Sequence, residues 1–293
     1  MKFALGIFCL ATVVYAQPPL TQEVIYANNV LAAGAVDKNP DTRKETAAAL
    51  GLAGPHEPYT TELGTLAEDK DLYVRLAALQ SLVDVRKKEA IPFLNKALYD
   101  ETPEVSFAAA KALWSLNDPA GRAALMGVVS GQDKTSSGAI NAKKRDMIRL
   151  LHTPHGLMMF VFQTGIGFAP VPGLGEGMSS LTLILSDSGV SGRAAALLLL
   201  STEKSPDVLQ AIREGFKDKD ASVRSAAVHA LAVRDDPTLM AELLPFIEDP
   251  KEKDAVKFRA AAGYVRLATI KARPMVLKGK AAPKAVAPAT KGK

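Results

Sequence analysis

The fold of this chain is decided by the stretch Asp69-Lys-Asp-Leu-Tyr-Val-Arg75-Leu-Ala-Ala-Leu-Gln-Ser-Leu82. It places an aspartate six residues before an arginine, a valine directly before that arginine, and small and large apolar residues after it at helical spacing. The same pattern recurs with its basic residue at Arg43, Arg75, Arg193, Arg224 and Arg259, and with Ser106 in the basic position of a further copy. Repetition at about 31 residues predicts stacked supersecondary units instead of a single compact core.

The aspartate of the pattern is as regular as the arginine. Aspartates lie six residues before the anchor in five copies, and Lys253 is the exception; the aspartates are Asp37, Asp69, Asp100, Asp187 and Asp218. Between the anchored helices lie second amphipathic segments at 59–67, 90–98, 118–129, 207–216 and 239–247. Each unit is therefore predicted to be a helical hairpin that buries its apolar face against its neighbours.

The recurring charges are expected to have a structural role. The aspartate is placed to accept backbone N–H groups at the turn that precedes the anchored helix. The arginine can then pair with the aspartate of an adjacent unit, so that the pairs form a ladder along the stack. The predicted ladder residues are Asp37, Arg43, Asp69, Arg75, Asp100, Asp187, Arg193, Asp218, Arg224 and Arg259.

The pattern Asp-x4-Val-Arg-x2-Ala-x2-Ala-Leu resembles the HEAT repeat family, including the HEAT-like repeats of bilin lyases. The resemblance covers residues 37–130 and 187–270 and implies an all-α, right-handed α-solenoid of six to seven hairpins. It also implies a scaffolding or binding function, because the family mostly supplies interaction surfaces. Ser106 and Lys253 depart from the pattern, so their copies are expected to lack a rung of the ladder.

Residues 1–16 have the layout of a secretory signal peptide. Lys2 precedes an apolar run from Phe3 to Val14, and small residues lead to a cleavage site after Ala16. The run is too short to span a bilayer as a helix. Cleavage would remove Cys9, the one cysteine, and with it every disulfide, thiol nucleophile or thiolate metal site. We therefore expect an exported protein, either periplasmic or secreted.

The net charge of +5 divides unevenly along the chain. Residues 271–293 contain seven basic and no acidic residues, so removing these and Lys2 leaves a charge of −3 for residues 17–270. The Lys/Ala/Pro-rich tail is predicted to be disordered. It suits an anionic membrane or an acidic cell-wall polymer. Nucleic acid is not expected as a partner, because an exported protein seldom meets it.

The repeat blocks at 17–130 and 187–270 are separated by a degenerate repeat and an apolar Gly/Pro-rich insertion at 131–186. Between Gly156 and Leu185 the only charged residue is Glu176, and prolines and glycines interrupt any spanning helix. Three interpretations stay open: buried core, a loop that binds a partner or ligand, or a membrane contact aided by the basic cluster at 143–149. The candidate contact residues are Phe160, Phe162, Phe168, Leu174 and Glu176.

No pattern for catalysis, a cofactor or a metal stands out. The glycine-rich run 173–177 lacks the Lys and Ser/Thr of a phosphate-binding loop. His152 and His155 are separated by a proline and lack a third ligand nearby, whereas His229 lies in an apolar helical phase and is expected to be packed. The predicted function is a non-enzymatic protein-binding scaffold in a bacterial cell envelope. The alternatives are a peripheral membrane protein that uses residues 143–185 and the tail, and a lyase-like enzyme of the HEAT-like kind.

Overall fold

The computed structural model describes residues 21–85, 88–130 and 192–272, and these residues form helices joined by short turns. In the described part of the chain there are twelve α-helices, two 3-10 helices and no strand, so the all-α prediction is confirmed. The α-helices are α1 Gln22–Ala35, α2 Pro40–Ala53, α3 Tyr59–Leu66, α4 Leu72–Val85, α5 Ile91–Ala97, α6 Pro103–Ser115, α7 Pro119–Ser130, α8 Gly192–Leu200, α9 Pro206–Gly215, α10 Ala221–Ala232, α11 Leu244–Glu248 and α12 Asp254–Ala272. The 3-10 helices are Lys88–Ala90 and Pro237–Leu243.

Consecutive helices pair as hairpins. The pairs are α1 with α2, α3 with α4, α5 with α6, α9 with α10, and α11 with α12. The amphipathic segments predicted between the anchors are present as α3, α5, α7, α9 and the 3-10 helix that runs into α11, whereas helix α1 was not predicted from the sequence. We call α2, α4, α6, α10 and α12 the second helices.

Local sequence explains where the second helices begin. The side chains of Asn39 and Asp220 cap α2 and α10 by accepting an amide two residues later. Pro40 and Pro103 open α2 and α6, where the missing N–H has no intrahelical partner to lose. The starts of these helices are therefore set by residues that recur from hairpin to hairpin.

The core runs along the stack as one continuous seam. Its centre consists of leucines with no more than 1% exposure, such as Leu50, Leu79 and Leu231, separated by fully buried alanines such as Ala47 and Ala78. Small side chains let neighbouring helices approach, and the leucines fill the space between them. The seam is the feature on which each hairpin depends for its stability.

The order of the hairpins in the stack differs from their order in the sequence. Helix α12 packs against α10 on one side and against α1 and α2 on the other, so the second helices follow the order α10, α12, α2, α4, α6. The C-terminal block (192–272) therefore joins directly to the start of the N-terminal block (21–130). The predicted insertion separates the blocks in the sequence but not in the stack, because residues 131–191 connect helices at opposite ends.

We call the contact of α12 with α1 and α2 the block joint. The hydroxyl of Thr42 donates to Oδ2 of Asp254 at 2.7 Å, across 212 residues of sequence. A methyl group added at Gly34 in α1 would lie 2.3 Å from Oγ1 of Thr46 and 2.5 Å from the ring of Phe258. The absence of a side chain at Gly34 is thus what lets α1 and α12 meet.

Candidate functional site

Arginines at the start of the second helices connect each hairpin to the next. In α2, Nε and Nη2 of Arg43 donate to the two carboxylate oxygens of Asp69 at 2.7 and 2.9 Å. Its Nη1 donates to the main-chain carbonyls of Asp37 and Lys38 at 2.8 and 3.1 Å. One guanidinium therefore holds its own turn and the carboxylate of the following hairpin.

The aspartates of the ladder also hold the turns. Each accepts the amide two residues ahead, with N–O distances of 2.8 Å at Asp37 and Asp69, 2.7 Å at Asp100 and 2.9 Å at Asp218. This contact stabilises the turn before the second helix, as the sequence analysis expected from the position of the aspartate.

Three further rungs vary this arrangement. Arg75 lies 3.1 Å from Asp100 and donates through Nη2 to Thr102 at 2.7 Å. Arg193 pairs with Asp218 at an exposed position. Asp187 lies outside the described residues. Arg224 donates through Nε and Nη2 to Glu252 at 3.0 and 2.6 Å, so a glutamate completes the rung where the sequence has Lys253.

The prediction that Arg259 belongs to the ladder is wrong. The ladder residue at the fourth position of α10 is Arg224, whose amide donates to the carbonyl of Asp220 at 3.1 Å. In α12 the matching amide belongs to Lys257, which donates to Lys253 at 3.0 Å. The turn before α12 has five residues, as the turns before α4, α6 and α10 do, so Arg259 is the sixth residue of its helix and lies two positions beyond the ladder position.

Arg259 is enclosed at the middle of the stack. Its side chain is 1% exposed, and Nη1 donates to Oγ of Ser225 in α10 at 2.6 Å. In the described part of the chain, Nε of Arg259 has no hydrogen-bond partner and no carboxylate oxygen lies within 4.0 Å of the guanidinium. Burial lowers the pKa of Arg259 to about 10, although the charges of Glu45 and Asp84 oppose this change.

His229 in α10 completes what we call the central polar cluster, which consists of Arg259, Ser225 and His229. The imidazole is 2% exposed, so the expectation that it is packed is confirmed. Burial lowers the pKa of His229 to about 3, and the positive charges of Arg259 and Arg266 act in the same direction. Its Nδ1 has no hydrogen-bond partner among the described residues. The cluster therefore combines one buried cation with a neutral imidazole and a hydroxyl.

The contact residues predicted in the insertion belong to a part of the chain that the structure does not describe. Phe160, Phe162, Phe168, Leu174 and Glu176 lie outside the described residues, as do the basic cluster at 143–149 and the tail after residue 272. Within residues 21–85, 88–130 and 192–272, no three His, Cys, Asp or Glu side chains meet in a way that could hold a metal ion. The same residues contain no helix with the length and apolar character needed to cross a membrane.

The match to a protein family agrees with the repeat architecture. A profile of HEAT repeats matches residues 60–142 and 178–271, which together are more than half of the chain. Among solved structures, human deoxyhypusine hydroxylase in complex with glycerol is similar at 17% identity and a TM-score of 0.30, over 85% of this chain and 98% of that chain. No curated protein sequence matches.

Proposed function

Because the chain belongs to the HEAT-repeat family, we propose that it is an exported, non-enzymatic scaffold that binds another protein in a bacterial cell envelope. HEAT hairpins suit this function because a stack presents a long surface of helices and turns, while its regular residues hold the stack together. Export is supported by the signal-peptide pattern of residues 1–16.

The main structural support for this proposal is the exposure of large apolar side chains at the two ends of the stack. At the end formed by α5, α6 and α7, Tyr99 is 66%, Trp114 56% and Met126 50% exposed. At the opposite end, Leu199 and Leu200 of α8 are also exposed. Large aromatic and methionine side chains are enriched at protein interfaces, and exposed apolar groups of this size mark interaction surfaces.

A crosslinking pull-down from envelope extract tests the proposal. The intact protein is compared with Trp114→Ala, with a deletion of 156–177, and with Val36→Ala as a matched control. Val36 is 80% exposed but lies in the turn after α1, away from both ends. We expect one protein to be recovered with the intact chain and the control, and to be lost or strongly reduced with Trp114→Ala or the deletion at unchanged helicity.

The result that would contradict the scaffold is recovery of the same proteins with all variants, because the capture would then be unspecific. Co-sedimentation with anionic liposomes distinguishes a peripheral membrane protein from a protein-binding scaffold. Pelleting that weakens with salt, in the absence of a recovered protein, would identify a lipid surface instead of a protein partner.

A further inference from the structure

We propose that the central polar cluster is a binding site for a carboxylate, with Arg259 as the group that holds the anion. This inference does not rest on the scaffold function, and it concerns the middle of the stack instead of its ends. It begins from the incomplete hydrogen bonding of a cation that is 1% exposed. Buried polar groups in folded proteins almost always have partners, so an orphaned buried donor calls for a ligand or water that completes it.

The free edge of Arg259 is the edge that binds carboxylates elsewhere in this protein. Arg43 and Arg224 each place Nε and Nη2 on the two oxygens of one carboxylate. In Arg259 the hydrogen bond to Ser225 uses Nη1, and within the described ranges Nε is buried without a hydrogen-bond partner, while Nη2 takes no part in the bond to Ser225. The guanidinium is thus held in place by Ser225 while its bidentate edge stays available.

The charges around Arg259 select a monoanion. The negative charges of Glu45 in α2 and Asp84 in α4 act on Arg259 from more than ion-pair distance, and Oε1 of Glu45 lies 3.4 Å from Nζ of Lys44. These two carboxylates repel any anion, and they repel a phosphate dianion more strongly than a carboxylate with its single charge, so among anions the cluster favours a monoanion. His229 is neutral at pH 7, because burial lowers its pKa to about 3, so it does not change the charge of the cluster.

Acetate is the probe for this site. We expect sodium acetate to bind the full chain and to raise its melting temperature at pH 7, relative to sodium chloride at the same ionic strength. Because the site is enclosed, samples are equilibrated overnight before calorimetry and thermal unfolding. A second arm uses a blocked Ala-Glu-Ala peptide, since tighter binding of the peptide would identify a protein side chain as the source of the carboxylate, and binding of acetate alone would identify a free small acid.

Two variants and one control complete the experiment. Arg259→Met removes the charge at similar size, and Arg259→Lys keeps the charge but lacks the bidentate edge; each should weaken acetate binding by about tenfold or more. Arg213→Met is the control, because Nε and Nη2 of Arg213 already hold Glu242 at 3.0 and 2.7 Å. The proposal is overturned if acetate does not bind the intact protein, or if Arg259→Lys binds it as tightly as the intact protein does. The acetate measurement on the intact protein stands even if a variant does not fold.

Discussion

The rim formed by the starts of the second helices and the middle of the stack around α12 use arginine in opposite ways. At the rim, Arg43 makes two hydrogen bonds to a carboxylate and two to carbonyls. At the centre, Arg259 is at least as buried but makes one hydrogen bond, to a hydroxyl. At the rim, a charge that recurs along the stack and has a carboxylate partner holds the fold. A buried charge that has no carboxylate partner among the described residues is the better candidate for a site.

The largest expected effect comes from breaking a rim pair. Arg43→Ala leaves the carboxylate of Asp69, whose side chain is 12% exposed, without its cation and removes the link to the turn at Asp37. Removing one partner of a buried ion pair typically costs about 3–5 kcal/mol, so we expect the free energy of unfolding in urea to fall by that amount.

Arg213→Ala is the matched control for this prediction. Arg213 also joins neighbouring hairpins through a bidentate pair with a carboxylate, but both side chains are substantially exposed. Exposed pairs contribute little to stability, so the control should unfold close to the intact protein. Equal losses for the two variants would show that burial does not set the strength of the rim.

A smaller loss of stability is expected when the packing of the block joint is disturbed. Gly34→Val would push a branched side chain into Thr46 and the ring of Phe258, and overpacking of this kind costs about 3 kcal/mol. The measurement is thermal and urea unfolding. Gly127→Ala in α7 is the control, because an added methyl group there meets no atom within 4 Å. If Gly34→Val unfolds like the control, α1 and α12 are not packed as described.

The rim could be predicted from the sequence because it repeats in phase. The separation of Asp69 and Arg75 recurs in other copies, such as Asp37 with Arg43 and Asp218 with Arg224, and a helical hairpin brings such residues to the same turn. Arg259 misled the prediction because the run after it, Ala-Ala-Ala, copies the run after Arg193, although Lys257 and not Arg259 occupies the ladder position of α12. Agreement over a few apolar residues does not determine the position of a helix start.

The block joint could not be predicted, for a different physical reason. Apolar faces of repeating hairpins are alike, so the sequence does not state which hairpin follows which. The contact between Thr42 and Asp254 spans 212 residues and depends on the whole stack. The central polar cluster could not be predicted for the same reason, because the burial of Arg259 requires α10, α12 and α2 to lie next to one another in the stack. Only the packing of His229 could be predicted, from its apolar helical phase.

The smallest predicted effect is the change in the free energy of unfolding with pH that comes from His229 in the central polar cluster. The unfolded chain binds a proton at His229 below pH 6.5, whereas burial beside Arg259 and Arg266 keeps the pKa of the folded state near 3. The unfolded state therefore holds more protons between these values, and stability falls as the pH drops from 6.5 towards 3. At pH 5.0 this group alone should lower the free energy of unfolding by about 2 kcal/mol relative to pH 7.

Urea unfolding of the intact protein and of His229→Gln at pH 7.0 and 5.0 isolates this contribution. Both proteins lose stability through their carboxylates, but only the intact protein carries the histidine, so it should lose about 2 kcal/mol more than the variant on acidification. Parallel losses would mean that the folded imidazole accepts a proton at pH 5.0. In that case the centre of the stack would be open to solvent or would contain a carboxylate partner for His229, and the contrast between a rim of ion pairs and a centre without them would no longer hold.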